Sequence, residues 1–157
     1  MFNDVLKLIE KPAFSGHETF PFRYGWITKI LTYFNDNNSD NELSRDLTLK
    51  GDEREIMEAM KEFGVGKNMI SSMKFWAEKS ALLENIPKKG WALTSVGKTV
   101  AKYDPYLDYP ESLWLIHWNL CSKVKQTTTF YYAFNHYNSL ELTKDSIQKP
   151  LIQLSKD

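Results

Sequence analysis

Residues 64–83 read GVGKNMISSMKFWAEKSALL, and this stretch decides the fold. A short amphipathic helix precedes it and ends at Gly64, because a left-handed residue is favoured just past a helix C-terminus. A second helix is predicted over residues 66–80, and its apolar positions at helical spacing are Met69, Ile70, Met73, Trp76 and Ala77. Residues 82–86 and 91–93 then predict a β-hairpin. Helix, glycine turn, helix and hairpin in this order are typical of a winged helix-turn-helix.

The polar positions of the second helix suit contact with nucleic acid. The residues expected to face DNA are Lys67, Asn68, Ser71, Ser72 and Lys74. Asparagine reads adenine through paired hydrogen bonds, and lysine reaches guanine or phosphate. The hairpin tip carries Lys88 and Lys89, which we expect to touch the DNA backbone or the minor groove. The alternative is a winged helix that mediates protein contacts.

The charge distribution agrees with this placement. The chain has 20 basic and 20 acidic residues, so it lacks the overall basic character of a non-specific nucleic-acid binder. Residues 61–102 hold eight lysines against three glutamates, whereas residues 35–60 hold three basic against eight acidic residues. The basic excess therefore coincides with the second helix and the hairpin, although lysines that merely solvate an exposed face would give the same pattern. So few cations predict weak DNA binding or a need for a partner.

The pattern as a whole predicts a mainly α protein in three parts. Residues 1–23 form an N-terminal segment with the motif GHETF, residues 24–103 the winged helix-turn-helix with its small hairpin wing, and residues 104–157 an appended aromatic-rich helical segment. Thr94 is expected to cap a helix that closes at Asp104. The aromatic residues around Trp114 and Trp118 are expected to form core, with partner binding by an exposed subset as the alternative.

The GHETF motif is the candidate for chemistry. His17 and Glu18 are adjacent and have the residue types of an acid–base or metal pair, but no further ligand stands at a metal-motif spacing. We therefore predict no catalytic residue, no metal and no cofactor, and keep an enzyme centred on this pair as a minor alternative. Arg23 allows two other interpretations. It could form a buried structural ion pair with Glu18 that aromatic side chains cover, or its guanidinium could bind an anion with His17 beside it.

The sequence argues against a phosphate-binding loop, an internal disulfide, a membrane span and a signal peptide. A phosphate loop at residues 64–67 fails, because Lys61 stands where glycine is needed and Asn68 where serine or threonine is needed. The single cysteine, Cys121, excludes an internal disulfide. The longest apolar run, residues 113–120, is too short to span a bilayer, and residues 1–12 lack a signal-peptide pattern. We expect a soluble, cytoplasmic protein without a membrane partner.

Three long blocks carry a family resemblance. They are FSGHETFPFRYGW at residues 14–26, GVGKNMISSMKFW at residues 64–76, and LTSVGKTVAKYDPYLDYPESLWLIHW at residues 93–118. Through them the chain resembles the domain-of-unknown-function family 4007. The resemblance implies a winged-helix-like protein encoded beside a sulfurtransferase similar to phosphoadenosine phosphosulfate reductases, in a prokaryotic phage-defence or DNA phosphorothioation system. It supplies no catalytic residues, and typical members are longer.

The expected function is therefore a non-enzymatic DNA-binding subunit of such a system, with DNA, including phosphorothioate-modified DNA, as its partner. The alternative is a protein–protein adaptor for a sulfurtransferase or an ATPase that does not contact DNA itself.

Overall fold

The computed structural model describes residues 12–36, 57, 60–87 and 90–154, and within them the fold is mainly α. The helices are α1 (Trp26–Asp36), α2 (Lys67–Lys79), α3 (Ser95–Tyr103), α4 (Pro110–Ser122), α5 (Thr128–Asn135) and α6 (Lys144–Leu154). The strands β1 (Leu83–Ile86) and β2 (Gly90–Leu93) form one antiparallel hairpin. No helix in these residues is long and apolar enough to cross a membrane.

The chain divides into two compact units. The larger is Ser15–Ile116, and the smaller combines Met1–Phe14 with His117–Asp157. The larger unit contains the predicted winged domain and also residues 15–23 and 104–116. This division differs from the three segments drawn from the sequence.

The core of the larger unit forms where α1 packs against α2 and α3, and α2 against β1. The predicted inward positions Ile70, Met73, Trp76 and Ala77 are all buried, as is Leu93 of the hairpin. The apolar spacing in the sequence therefore set the inner face of α2 correctly, with Met69 half-buried at its edge.

The glycine turn before α2 has the geometry that the sequence indicates. Residues 60–63 are helical, and Gly64 follows with φ +62°. The Val65 N–H donates to the carbonyl oxygen of Met60 at 3.2 Å, the long hydrogen bond of a Schellman C-terminus. From α1, the Lys29 ammonium donates to the Phe63 carbonyl oxygen at 2.6 Å. The preceding helical residues thus end at Gly64 as predicted.

The hairpin is joined to α3 through Thr94. Its hydroxyl accepts the Gly97 N–H at 2.9 Å, which confirms the predicted cap, and donates to the Ala81 carbonyl oxygen at 2.7 Å. A Cβ at Gly97 would lie 2.0 Å from the Leu82 carbonyl oxygen, so α3 approaches the chain there as only glycine permits. α3 closes at Asp104, also as predicted.

Candidate nucleic-acid interface

The exposed part of α2 is its first turn. Gly66 is the N-cap, with φ −76° and ψ 163°, and no side chain caps it by a hydrogen bond. The turn holds no acidic residue, and both Lys67 and Asn68 are exposed. The first N–H groups of a helix have no intrahelical partner and point toward an approaching anion, so this turn is chemically suited to a phosphate.

Two of the predicted DNA-facing residues are instead buried, and that expectation was wrong for them. Ser72 is 0% exposed, and its hydroxyl oxygen lies 3.4 Å from the Phe20 carbonyl oxygen to which it donates. Lys74 is 8% exposed, with Nζ 4.7 Å from the ring centroid of Trp91 on β2. Each side chain is covered by a neighbouring segment that packs on one flank of α2. Ser71, between these flanks, is half-buried.

The other predicted wing contacts, Lys88 and Lys89, lie outside the described residues. The strands on either side of them are in register, with Leu83 opposite Leu93 and Ile86 opposite Gly90.

The GHETF motif forms a tight turn against α2. Gly16, Glu18 and Thr19 have φ of +107°, +48° and +65°. The Phe20 N–H closes the turn on the His17 carbonyl oxygen at 2.9 Å. A Cβ at Gly16 would lie 2.8 Å from Cε2 of Phe75, so glycine is needed both for the backbone angle and for the close approach.

His17 is a packing residue in this turn. Its ring stacks on Trp76 at 5.7 Å between centroids and meets Phe75 edge-on at 5.8 Å. Its Nδ1 is buried and has no hydrogen-bond partner within the described residues. No group of three or more His, Cys, Asp or Glu side chains in the described part of the chain could hold a metal ion. The contacts of the His17 ring with Phe75 and Trp76 fix the turn onto α2.

Arg23 and Glu18 do not form the buried ion pair that the sequence suggested as one alternative. Both are exposed, and within residues 12–36 no ion pair joins them. The Arg23 guanidinium instead lies 5.5 Å from the ring centroids of both Phe20 and Trp26. Cation–π contact with two rings orients this charge at the surface, because each ring face attracts the cation.

Several aromatic side chains expected in the core are exposed. Trp114 and Trp118 on α4 are 69% and 70% exposed, and Phe134 on α5 is 60% exposed. By contrast, Tyr132 is 2% exposed and does lie in a core. Hydrophobicity alone did not distinguish these positions.

Sequence reasoning also missed three exposed tyrosines, one at the end of α3 and two between α3 and α4. Tyr103, Tyr106 and Tyr109 are 68%, 61% and 60% exposed. Their segment is held by Asp104, whose carboxylate accepts the N–H groups of Asp108 at 2.8 Å and Tyr109 at 3.2 Å. Their three-residue spacing around Asp104-Pro105 was the available signal.

Cys121 has the environment of an unreactive thiol. It is 7% exposed, and burial raises the pKa of its side chain, so the thiol stays protonated at neutral pH. His117 lies 3.6 Å from the sulfur through Nε2 and packs edge-on against Phe134. These contacts fit the predicted role of Cys121 as a small buried hydrophobe.

Comparison with known proteins identifies a family and a fold. Residues 14–157 match the family described as "Protein of unknown function (DUF4007)", which confirms the resemblance carried by the three sequence blocks. Among curated proteins, no match is found. The fold is similar to a "Magnesium ion-bound SspB crystal structure", with a TM-score of 0.66 and 23% identity, and to an "SspB crystal structure", with 0.61 and 24%. Each alignment covers 94% of this chain but 44% of the other, so the chain spans less than half the length of those proteins.

Proposed function

The chain belongs to the DUF4007 family, and we propose that it is a non-enzymatic DNA-binding protein with a winged helix-turn-helix. The observation that carries the proposal is the first turn of α2, where Lys67 and Asn68 stand exposed at a helix N-terminus without a side-chain cap. The order of α2, β1, β2 and the preceding glycine turn supports the winged form of this motif. We further propose that it acts in a prokaryotic phage-defence or DNA phosphorothioation-linked system, which is what the family resemblance implies.

In this proposal α2 meets DNA with its N-terminal end. Lys67 and the helix dipole stabilise a phosphate, and Asn68 offers paired hydrogen bonds to adenine. Ser72 and Lys74 take no part, because packing against Phe20 and Trp91 buries them. The contact therefore involves the first turns of the helix rather than its whole length.

The wing lysines complete the proposed contact. With Lys67, Lys88 and Lys89 each neutralising one phosphate, the logarithm of the affinity should fall with the logarithm of salt concentration at a slope of about −2 to −3. Such a shallow slope distinguishes this mode from a broad basic surface.

Arg23 is the proposed contact for a modified phosphate. Its guanidinium is exposed and is oriented by Phe20 and Trp26. His17 is a poorer candidate than the sequence suggested, because its ring is packed between Phe75 and Trp76 and its Nδ1 is buried. A planar guanidinium can pair with two phosphate oxygens, or with an oxygen and a sulfur.

Fluorescence-anisotropy titration tests the proposal. Labelled duplexes of one sequence, plain and with a single phosphorothioate, are titrated at several salt concentrations. Binding with the shallow salt slope is expected, and the two duplexes should differ if Arg23 contacts the modification. Arg23→Lys should then remove the difference while it leaves the affinity for the plain duplex largely unchanged. Absence of binding to both duplexes at low salt would refute DNA recognition.

The non-enzymatic part has its own test. Supercoiled plasmid incubated with the protein and Mg²⁺ should stay supercoiled. Nicking that is lost in His17→Ala and in Glu18→Ala, but kept in Thr19→Ala, would instead assign catalysis to the turn.

A second candidate function is an adaptor for a sulfurtransferase or an ATPase. The exposed side chains of Tyr103, Tyr106, Tyr109 and Trp114 favour it, because tyrosine and tryptophan are enriched at the centres of protein interfaces. The adaptor would show no DNA affinity but would co-purify with the partner. Tyr106→Ala should abolish that association, whereas Lys67→Glu should not change it.

A further inference from the structure

The smaller compact unit carries an apolar groove beside α6. The groove has a volume of about 600 Å³, and its apolar wall consists of Phe14, Ile147, Leu151 and Ile152. Among the described residues that line it, Lys144 carries the one charge, and this lysine is exposed. A groove of this size is large enough to receive a side chain or a short segment from outside the molecule.

The same unit also carries an apolar loop that projects into solvent. We name it the LEL loop after Leu140, Glu141 and Leu142. Leu140 is fully exposed, Leu142 is 67% exposed, and Glu141 between them is exposed as well. Scattered exposed leucines are ordinary, but two of them beside an open apolar groove indicate an interface.

Hydrogen bonds hold the LEL loop in this outward position. The Tyr137 hydroxyl donates to the Glu141 carbonyl oxygen and lies 2.7 Å from the Ser146 hydroxyl oxygen. Ser146 in turn donates its N–H to the Thr143 hydroxyl at 3.1 Å. The backbone of the loop is thus anchored at the start of α6, which reduces the entropy that the loop loses when it binds a partner.

We propose that two copies of this chain associate through these features, with the LEL loop of each copy seated in the groove of the other. The loop offers two leucines and one carboxylate, and the groove offers an apolar wall and one ammonium group, so the two are complementary in apolar character and in charge. Within the described residues, neither Glu141 nor Lys144 has an ion pair in the single chain. In a dimer with a two-fold axis, Glu141 of each copy would pair with Lys144 of the other copy, because a symmetric interface repeats each contact.

A second copy explains the observations better than other occupants. A small apolar ligand would fill the groove and leave Leu140 and Leu142 in water. The inference does not depend on DNA binding, although a dimer would present two copies of the α2 surface and so strengthen weak phosphate contacts by avidity.

A charge-exchange cycle measured by sedimentation velocity, without DNA, tests the proposal. Glu141→Lys and Lys144→Glu should each weaken dimerisation about tenfold, since each reversed pair occurs twice in a symmetric dimer. The variant with both changes restores the pairs with opposite sign and should recover the dimer. Lys149→Glu, on the same helix but outside the groove, is the control; it breaks an exposed ion pair with Asp145 within the chain but should have little effect on dimerisation. A wild-type protein that stays monomeric up to about 100 µM would overturn the proposal.

A mixing experiment tests the seating of the loop directly. Leu140→Asp with Leu142→Asp removes the loop contact, and Ile152→Asp removes the groove contact, so each variant alone should be monomeric. Their mixture retains one intact loop and one intact groove and should form a heterodimer. Dimers that survive either change, or two monomers that fail to pair when mixed, would contradict the loop-in-groove arrangement.

Discussion

Trp76 of α2 donates its indole N–H to the carbonyl oxygen of Phe20, 3.1 Å away. The two residues lie 56 positions apart in the chain, and the bond fixes the GHETF turn against the middle of α2. Because Ser72 donates to the same oxygen and His17 stacks on Trp76, the turn covers one flank of the helix that we propose as the DNA contact.

Removing this hydrogen bond should destabilise the larger unit. Trp76→Phe keeps an aromatic ring but leaves the Phe20 carbonyl with the longer bond from Ser72 alone. We expect a loss of about 2–4 kcal/mol in the free energy of unfolding, measured by urea denaturation, because the change removes the hydrogen bond and also leaves part of the buried indole volume unfilled. Tyr106→Phe, which also removes a polar hydrogen but from an exposed side chain, should change it by less than about 0.5 kcal/mol. If both changes lower the free energy of unfolding equally, the hydrogen bond from Trp76 to Phe20 does not stabilise the larger unit.

Ala81 offers a stabilising substitution. It follows the C-terminus of α2 and has φ +60°. Its N–H donates to the Glu78 carbonyl oxygen at 2.9 Å, and the Leu82 N–H donates to the Ala77 carbonyl oxygen at 3.0 Å. This is the Schellman position that glycine prefers. Ala81→Gly relieves left-handed strain but adds freedom to the unfolded chain, so we expect a net gain of about 0.5–1 kcal/mol in thermal or urea unfolding. Ala92→Gly, in β2, should instead destabilise the protein.

Reversing the charge of Lys67 should weaken DNA binding without unfolding the protein. Lys67→Glu places an acid in the first turn of α2, so we expect about a tenfold loss of affinity at low salt and a salt slope reduced by about one. Lys98→Glu, a charge reversal at another exposed lysine on α3, is the control and should retain most of the affinity. Changing Lys74 would not serve, because that side chain is buried. If both variants bind like the wild type, α2 is not the DNA contact.

Asp104 should make stability depend on pH in the acidic range. Burial by itself would raise the pKa of Asp104, but hydrogen bonds from the Ser112 side chain and the N–H groups of Asp108 and Tyr109 outweigh it and lower the pKa below 3.8. The folded protein therefore favours the carboxylate. This stabilisation is complete above the unfolded pKa and is lost as pH falls through the folded one.

The variant Asp104→Asn should lack this dependence of stability on pH. The amide offers one acceptor oxygen in place of two, so we expect a cost of about 1–3 kcal/mol at pH 7. The difference between wild type and variant in urea unfolding should shrink as the pH is lowered below 3.8. A difference that stays constant from pH 7 to below that value would exclude the carboxylate charge as its source.

The local elements follow closely from local sequence. Gly64 ends the helical residues before α2, and Thr94 caps α3, because both features depend on backbone geometry and near neighbours. The buried face of α2 follows from apolar spacing, which points Ile70, Met73 and Ala77 to one side.

The burial of the polar side chains on the flanks of α2 could not be predicted from the sequence. Serine and lysine are usually exposed, and only the arrival of distant segments makes Ser72 and Lys74 exceptions. The periodicity of one helix cannot show that Phe20 and Trp91 will pack against its sides. Arg23 was likewise singled out as a charge, but its place over two aromatic rings depends on the fold of the turn.

The amino-acid sequence by itself determined the family, the mainly α composition, the helix ends and the inward face of α2, because each depends on residues a few positions apart. The tertiary structure alone decided which polar side chains of α2 reach solvent and which aromatic side chains stay outside the core. The physical reason is that solvent exposure depends on which distant segments pack over a residue. Neither the hydrophobicity of the residue nor helical spacing predicts that packing.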